Sequence, residues 1–235
     1  LWISTVFSSA GQWIQQLAIG WLVWELSKSA LMVGAVTGAR SVPFFVLGPL
    51  AGVAADRFDR RWILIATDIV LIVVAFIFAI LVATDLVRVW HAFIFVVISG
   101  SMWAMNQPVR SAMVPNTVPR EDLMNALALS SVAFNITRAI GPLVGGVLIV
   151  LVGAATNFFI QAVAYTGVVV SVLMMHPVPQ ESVSRGSSPL SNFNEGIGYV
   201  WKQKDLLGLL GMSAIPSIIV VPITQIMPVF AGEVL

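Results

Sequence analysis

The sequence predicts an all-α protein whose helices span a membrane, on three observations. Its residues are 58% hydrophobic and only 10% charged, where a soluble domain carries about a quarter charged residues. Seven apolar runs each reach the roughly 20 residues that a spanning helix needs. The few charges are also concentrated: "GVAADRFDRR", residues 52–61, packs five of them into six consecutive positions between two apolar runs.

The predicted spans lie at about 1–24, 30–55, 62–83, 91–113, 123–152, 154–175 and 206–230. Gaps between the first six are short, so neighbours form antiparallel hairpins. The first run opens on Leu1, not Met, and is too long and too polar-studded for a signal-peptide core. It is expected to be a truncated or processed first spanning helix. The stretch after span six differs in kind. Pro177, Pro179, Ser182, Ser184, Ser187, Ser188 and Pro189 give it a linker composition. Its end, "NFNEGIGYVWKQK", sets Phe193, Ile197, Val200 and Trp201 on one helical face, as in a helix lying on the membrane surface. Span seven holds Pro216, Pro222 and Pro228 and is expected to be bent or broken.

Charge sets the orientation. The loops after spans two, four and six hold Arg57, Arg60, Arg61, Arg110, Arg120, Arg185, Lys202 and Lys204, eight cations; the alternate loops hold two, Lys28 and Arg88. The even-numbered loops and the N-terminus are therefore expected in the cytoplasm. Trp24 and Trp90 on one side, and Trp62 and Trp201 on the other, fit interfacial belts. A net charge of +1 offers no basic surface for nucleic acid. With no cysteine and two distant histidines, His91 and His176, neither disulfide nor zinc chemistry is expected. No cofactor or metal is called for, and no nucleophile or His/Asp/Glu constellation points to an enzyme.

Polar residues inside the spans need partners. Arg40 and Arg138 lie deep in spans two and five, where an arginine costs about 2.5–3.5 kcal/mol on insertion scales. Both should face the bundle interior or a water-filled cavity. Arg40 is either a substrate contact or a lock neutralised by Asp68 or by helix carbonyls. Ser131 and Asn135 precede Arg138 at helical spacing and extend a polar stripe, which favours a substrate role. Two cations near mid-membrane suit an anionic or strongly hydrogen-bonding cargo. Thr5, Ser8, Gln12 and Gln15 form a second stripe, read as a cavity wall. Asp68 is the firmly intramembrane acid, either a titrating site or the partner of a nearby arginine. Trp13 and Trp103 either face lipid or stack a substrate, and Asn106 and Gln107 beside Pro108 read as functional or hinge elements. Pro142 and Pro49 remove the backbone bonds to the carbonyls of Arg138 and Phe45. Gly141 and Gly145 leave room for another helix to approach.

The order of residues carries a resemblance. Gly52, Asp56-Arg57 and Arg60-Arg61 between spans two and three resemble the cytoplasmic-loop motif of the major facilitator superfamily, with Asp59 where that motif has glycine. "RAIGPLVGG", with Gly141, Pro142, Gly145 and Gly146, is similar to the glycine-proline motif in helix five of that superfamily's exporters; Thr137 replaces its leading glycine. "GQWIQQLAIGWLVWELSKSAL", "RSVPFFVLGPLAGVAADRFDRR", "NQPVRSAMVPNTVPREDLMNALAL" and "FNITRAIGPLVGG" are similar to the branch of enterobactin-type siderophore exporters and macrolide efflux proteins. "GPLAG" (48–52) and "GPLVG" (141–145) echo one another, each downstream of an intramembrane arginine, as an inverted repeat of three spans would require.

The resemblance implies a twelve-helix fold of two six-helix bundles. Residues 1–176 would be the N-terminal bundle, 177–205 the cytoplasmic linker with its amphipathic helix, and 206–235 the first helix of the second bundle, so that the chain is incomplete. It implies a multi-pass protein of the cell (inner) membrane, monomeric at full length, exporting an amphiphilic siderophore-like or drug-like molecule by alternating access against protons. The expected cavity residues are Gln12, Gln15, Arg40, Trp103, Asn106, Asn135 and Arg138, with Asp68 as proton-coupling candidate. Related sequences often carry an acid or a threonine where Gln12 stands. Gly52, Asp56, Arg57, Arg60 and Arg61 would latch the two bundles in one state and release them in the other. Alternatives are a lysophospholipid or lipid mover, and a non-transporting membrane scaffold or sensor on the same fold.

Overall fold

The computed structural model describes residues 2–175 together with 203 and 208, without the side chains of Phe45, Val46, Pro49, Leu50, Val53, Ala55, Asp56 and Arg57. It divides into two compact units, Leu1–Gln180 and Glu181–Leu235. The expected linker, surface helix and seventh span lie outside the described residues. The helices below belong to the first unit.

Seven helices follow one another: α1 (Trp2–Ser27), α2 (Ala30–Ala39), α3 (Ser41–Arg57), α4 (Arg60–Ala83), α5 (Val89–Thr117), α6 (Leu123–Val152) and α7 (Ala154–Leu173), with a short 3-10 turn, Arg120–Asp122, before α6. Each junction has a local cause. Lys28 takes φ 50° after α1, and the Ser29 hydroxyl caps α2 by accepting from the Met32 amide at 3.4 Å. Asp59 caps α4, its Oδ1 accepting from the Arg61 amide at 2.8 Å. Asp85 takes φ 56° after α4, and His91 Nδ1 accepts the Arg88 amide at 2.9 Å to start α5. Gly153 sits at φ 88° between α6 and α7, a conformation in which side chains are strained.

Span two, expected as one helix, is interrupted at Arg40: Pro43 has no amide to donate to the carbonyl of Ala39, and the helix divides there into α2 and α3. Conversely, α6 runs unbroken through Pro142, and α5 through Pro108 and Pro115. Each proline deletes one backbone bond, and packing against neighbouring helices holds the axis.

Among the described residues four helices qualify by length and composition as membrane-crossing: α4, α5, α7 and the stretch Arg120–Val152. At 26 residues α1 has the length, but it carries Ser4, Ser8, Ser9, Gln12 and Gln15, all buried. The bundle is built by α4 packing on α7 and α5, α1 on α6 and α7, and α3 on α5. Leu64, Ile65 and Leu71 of α4 meet Val109 and Met113 of α5 and Tyr165, Val168 and Val172 of α7 in one apolar core. Toward the other end of α4, Phe78 stacks on Phe95 at 4.3 Å and meets Phe158 edge-on at 4.8 Å.

Glycine allows the closest crossings. A Cβ on Gly141 would lie 2.6 Å from Trp13 Cβ, and one on Gly100 would lie 2.7 Å from the Arg40 carbonyl oxygen. The first sets α6 directly against α1; the second seats the α2–α3 junction on α5. Of the four crossing helices, α6 is the least covered, and Ile136, Ile140, Leu143 and Val147 stand exposed along it.

Candidate functional site

The interior polar groups gather in three places. The first is a buried centre joining α1, α4 and α5. Asp68 of α4 is fully buried and faces Arg110 of α5, 4% exposed, with Nη2 3.8 Å from Oδ2. Asn106 Nδ2 donates to Asp68 Oδ1 at 3.1 Å and to Thr67 Oγ1 at 3.0 Å. Arg110 Nε donates to Asn106 Oδ1 at 3.2 Å, and its Nη1 to Ser4 Oγ at 2.7 Å. Asn106 sits one turn before Arg110, so α5 presents both to the same point. The two atoms of the ion pair that face each other, Oδ2 and Nη2, have no hydrogen bond from any described residue. Tyr165 of α7, 2% exposed, lies within electrostatic reach of Asp68, Arg40 and Arg110.

This corrects two expectations. Arg110 is not a loop cation, because α5 continues to Thr117 and carries it inside; removing it leaves seven cations against two in the orientation count. The partner of Asp68 is Arg110, not Arg40 or Arg138.

The second place is a tie across α1, α5 and α7. Gln161 Nε2 donates to Gln15 Oε1 at 2.8 Å, and Gln15 Nε2 reaches Ser99 Oγ at 3.5 Å. Nearby, Asn157 Nδ2 donates to the Gly145 carbonyl at 3.0 Å. Gln12 and Gln15 are 5% and 1% exposed, and for Gln15 of the stripe expected along a cavity wall α7 supplies the partner.

Third, two arginines lie over indoles. Arg40 Cζ is 5.7 Å from the centroid of Trp103, and Arg138 Cζ is 5.6 Å from that of Trp13. Each indole also meets a phenylalanine, Trp103 with Phe44 at 6.1 Å and Trp13 with Phe134 at 5.7 Å. Arg138 and Asn135 are on the uncovered side of α6, and Asn135 Nδ2 donates back to the Ser131 carbonyl at 2.8 Å. Of the residues expected along the cavity, Arg40 lies over Trp103, Asn106 bonds Asp68, Arg138 and Asn135 are exposed on α6, and Gln12 and Gln15 are buried.

In the charged loop, Arg60 Nη1 donates to the Ala112 carbonyl at 2.9 Å and Arg61 Nη2 to the Leu173 carbonyl at 2.6 Å. The two arginines clamp the start of α4 to the ends of α5 and α7. Asp59 earns its place as the α4 cap. Asp56 and Arg57, on which the latch reading turns, have side chains outside the described residues. In the helix-five motif, Gly141 and Gly145 meet Trp13 and Ile14 of α1, while Gly146 touches only the Leu17 side chain. Pro142 is half-buried.

Sequence reasoning missed Arg110, Ser4, Thr67, Gln161 and Tyr165. One signal was available: Asn106 and Arg110 are four residues apart, opposite an intramembrane acid in need of a cation. Among the described residues no group of three or more His, Cys, Asp or Glu is placed to hold a metal ion.

A helical bundle with apolar outer faces and a buried acid–base pair at its centre is an architecture that membrane transport proteins use. The chain belongs to the transmembrane secretion effector family of the major facilitator superfamily, whose sequence model matches residues 1–234. It is 29% identical over 167 residues to the staphyloferrin A transporter of Staphylococcus aureus, covering 71% of this chain and 42% of that protein. It is 22% identical over 235 residues to macrolide efflux protein A of Streptococcus pyogenes, covering 99% and 58%. It is 27% identical over 220 residues to the multidrug efflux pump Tap of Mycobacterium bovis, covering 89% and 52%. The chain thus spans about half the length of the curated relatives it matches. The family and these relatives are transporters, not enzymes.

Proposed function

We propose that the protein containing this chain is a secondary active exporter, moving an amphiphilic small molecule outward across the cell membrane by alternating access, coupled to protons. The carrying observation is the buried Asp68–Arg110 centre. An acid and a base fully inside a bundle, tied to three helices, form a group whose protonation would rearrange helix contacts. Protonating Asp68 removes the attraction that holds Arg110 and frees α5 from α4; deprotonation restores it. The relatives' names, for a siderophore transporter and for macrolide and multidrug efflux, support an exported amphiphile. Seven loop cations against two support a cytoplasmic N-terminus.

Asparagine at Asp68 keeps the volume and an acceptor for Asn106 but cannot titrate. In everted vesicles holding the full-length protein, Asp68→Asn should remove most proton-driven transport. Folded yield should fall, because Arg110 is left as a buried cation without its counter-charge, so transport is compared per folded protein. Undiminished transport by this variant, or full transport by the parent with no gradient, would remove proton coupling through Asp68.

The loop arginines hold one end of the bundle together, and the proposed latch adds Asp56 and Arg57 across to the second bundle. Asp56→Asn leaves every cation in place. Transport by the full-length protein should fall severalfold with topology unchanged by cysteine labelling; normal transport would reduce the cluster to an anchor.

A further inference from the structure

We propose that Arg40 and Arg138 are the two anion-holding points of the transport site, and that the cargo is an amphiphilic molecule bearing two carboxylate-type groups. This rests on the exporter reading above and adds the class of its substrate.

The charge balance leads there. The mid-span carboxylate, Asp68, is taken by Arg110. Among the described residues neither Arg40 nor Arg138 forms a salt bridge, and neither has a hydrogen-bonded side-chain partner. A guanidinium held within a membrane span needs a counter-charge or water, and these two have instead an indole each, within the distance at which cation–π attraction operates. Stacking occupies one face of the guanidinium. Its in-plane edge, where the N–H donors form a fork, remains available, and that fork matches the two oxygens of a carboxylate.

Placement repeats the message. Trp13 lies near the middle of α1, Trp103 of α5 and Arg138 of α6, while Arg40 forms the α2–α3 junction midway along span two. Each arginine has a phenylalanine one helical turn away, Phe44 after Arg40 and Phe134 before Arg138, and each phenylalanine packs on the same indole as its arginine. The bundle thus holds two like units, Arg-Trp-Phe, one on α3 and α5 and one on α6 and α1. The Gln15–Ser99 contact ties α1 to α5 between them. Arg138 is exposed and Arg40 half-buried. Two cationic forks, each beside aromatic surface, select a molecule with two anionic ends and an apolar body.

The test uses the full-length protein in zwitterionic nanodiscs and three radiolabelled probes: dodecanedioate, its monomethyl ester and its dimethyl ester. The dianion should bind at least about tenfold more tightly than the monoester, and the diester more weakly still. Arg40→Gln and Arg138→Gln should each bring the dianion down to the parent's affinity for the monoester, with folding checked separately by a monodisperse size-exclusion peak and thermal unfolding near the parent's. Lysine at either position should restore only part of the preference, since the fork is lost. Equal binding of dianion and diester, or a dianion preference that survives both glutamine variants, overturns the proposal. So does loss of dodecanedioate binding on adding phosphatidylglycerol, which would assign the arginines to lipid headgroups. A protein that binds as expected yet moves no dodecanedioate in proteoliposomes loses the exporter reading and keeps the site. One that exports a neutral macrolide without any dianion preference does the reverse.

Discussion

Arg110→Leu in the full-length protein should be the most damaging single change in the bundle, lowering stability by about 3–5 kcal/mol. Leucine removes the guanidinium facing Asp68 and the donors to Asn106 and Ser4. Asp68 is then a fully buried acid with one hydrogen bond left, from Asn106. The cost comes from that stranded charge more than from the lost attraction, because the pair itself was assembled against a large desolvation penalty. Asp68→Leu combined with Arg110→Leu should therefore recover most of the loss, while transport stays absent. Thermal unfolding in detergent, followed by the monodisperse fraction on size exclusion, measures both effects. A single variant as stable as the parent, or a double variant worse than the single, would show that the two residues do not act as a buried pair.

How much of this was legible in the sequence depends on whether a feature is axial or rotational. Long apolar runs fix where α4, α5, α6 and α7 lie along the chain, and these were read within a few residues. Span two is one apolar run in composition, but Pro43, whose missing amide cannot bond the Ala39 carbonyl, interrupts the helix at Arg40. Pro142 removes one backbone bond, yet α6 is continuous through it. Arg110 was placed in a loop because a cation near the end of an apolar run looks like an anchor; four more residues of helix beyond Met113 put it inside. Rotation was harder. The polar stripe on α1 was visible, but whether Gln15 meets water or another side chain depends on Gln161, 146 residues away. Likewise Asp68 needed a cation, and three arginines lay inside the spans; which one faces it is a matter of helix azimuth that spacing does not encode. The pairing of Arg138 with Trp13 was invisible for the same reason.

The echo between "GPLAG" and "GPLVG" gives a sharper instance, since two glycines that look equivalent should respond in opposite ways. Gly141 is buried where α6 crosses α1, and a Cβ there would fall 2.6 Å from Trp13 Cβ and 3.4 Å from its carbonyl carbon. Those atoms belong to the α1 backbone or are fixed to it, so a side-chain rotation cannot relieve the overlap. The helices must separate, and the next glycine along the same face has no slack either: a Cβ on Gly145 would lie 3.3 Å from the Ile14 carbonyl oxygen. Asn157 also holds the Gly145 carbonyl at 3.0 Å and resists the shift. Gly141→Ala should thus cost about 1–3 kcal/mol, the usual range for overpacking, and should move Trp13 away from Arg138. Gly48 has no atom within 4 Å of its Cβ position. Alanine there removes only the glycine's extra backbone freedom in a helix and should be neutral or stabilising by about 0.5–1 kcal/mol. Thermal unfolding of the two full-length variants side by side decides it: equal stability, or the larger loss at Gly48, would mean that α6 does not cross α1 at this glycine.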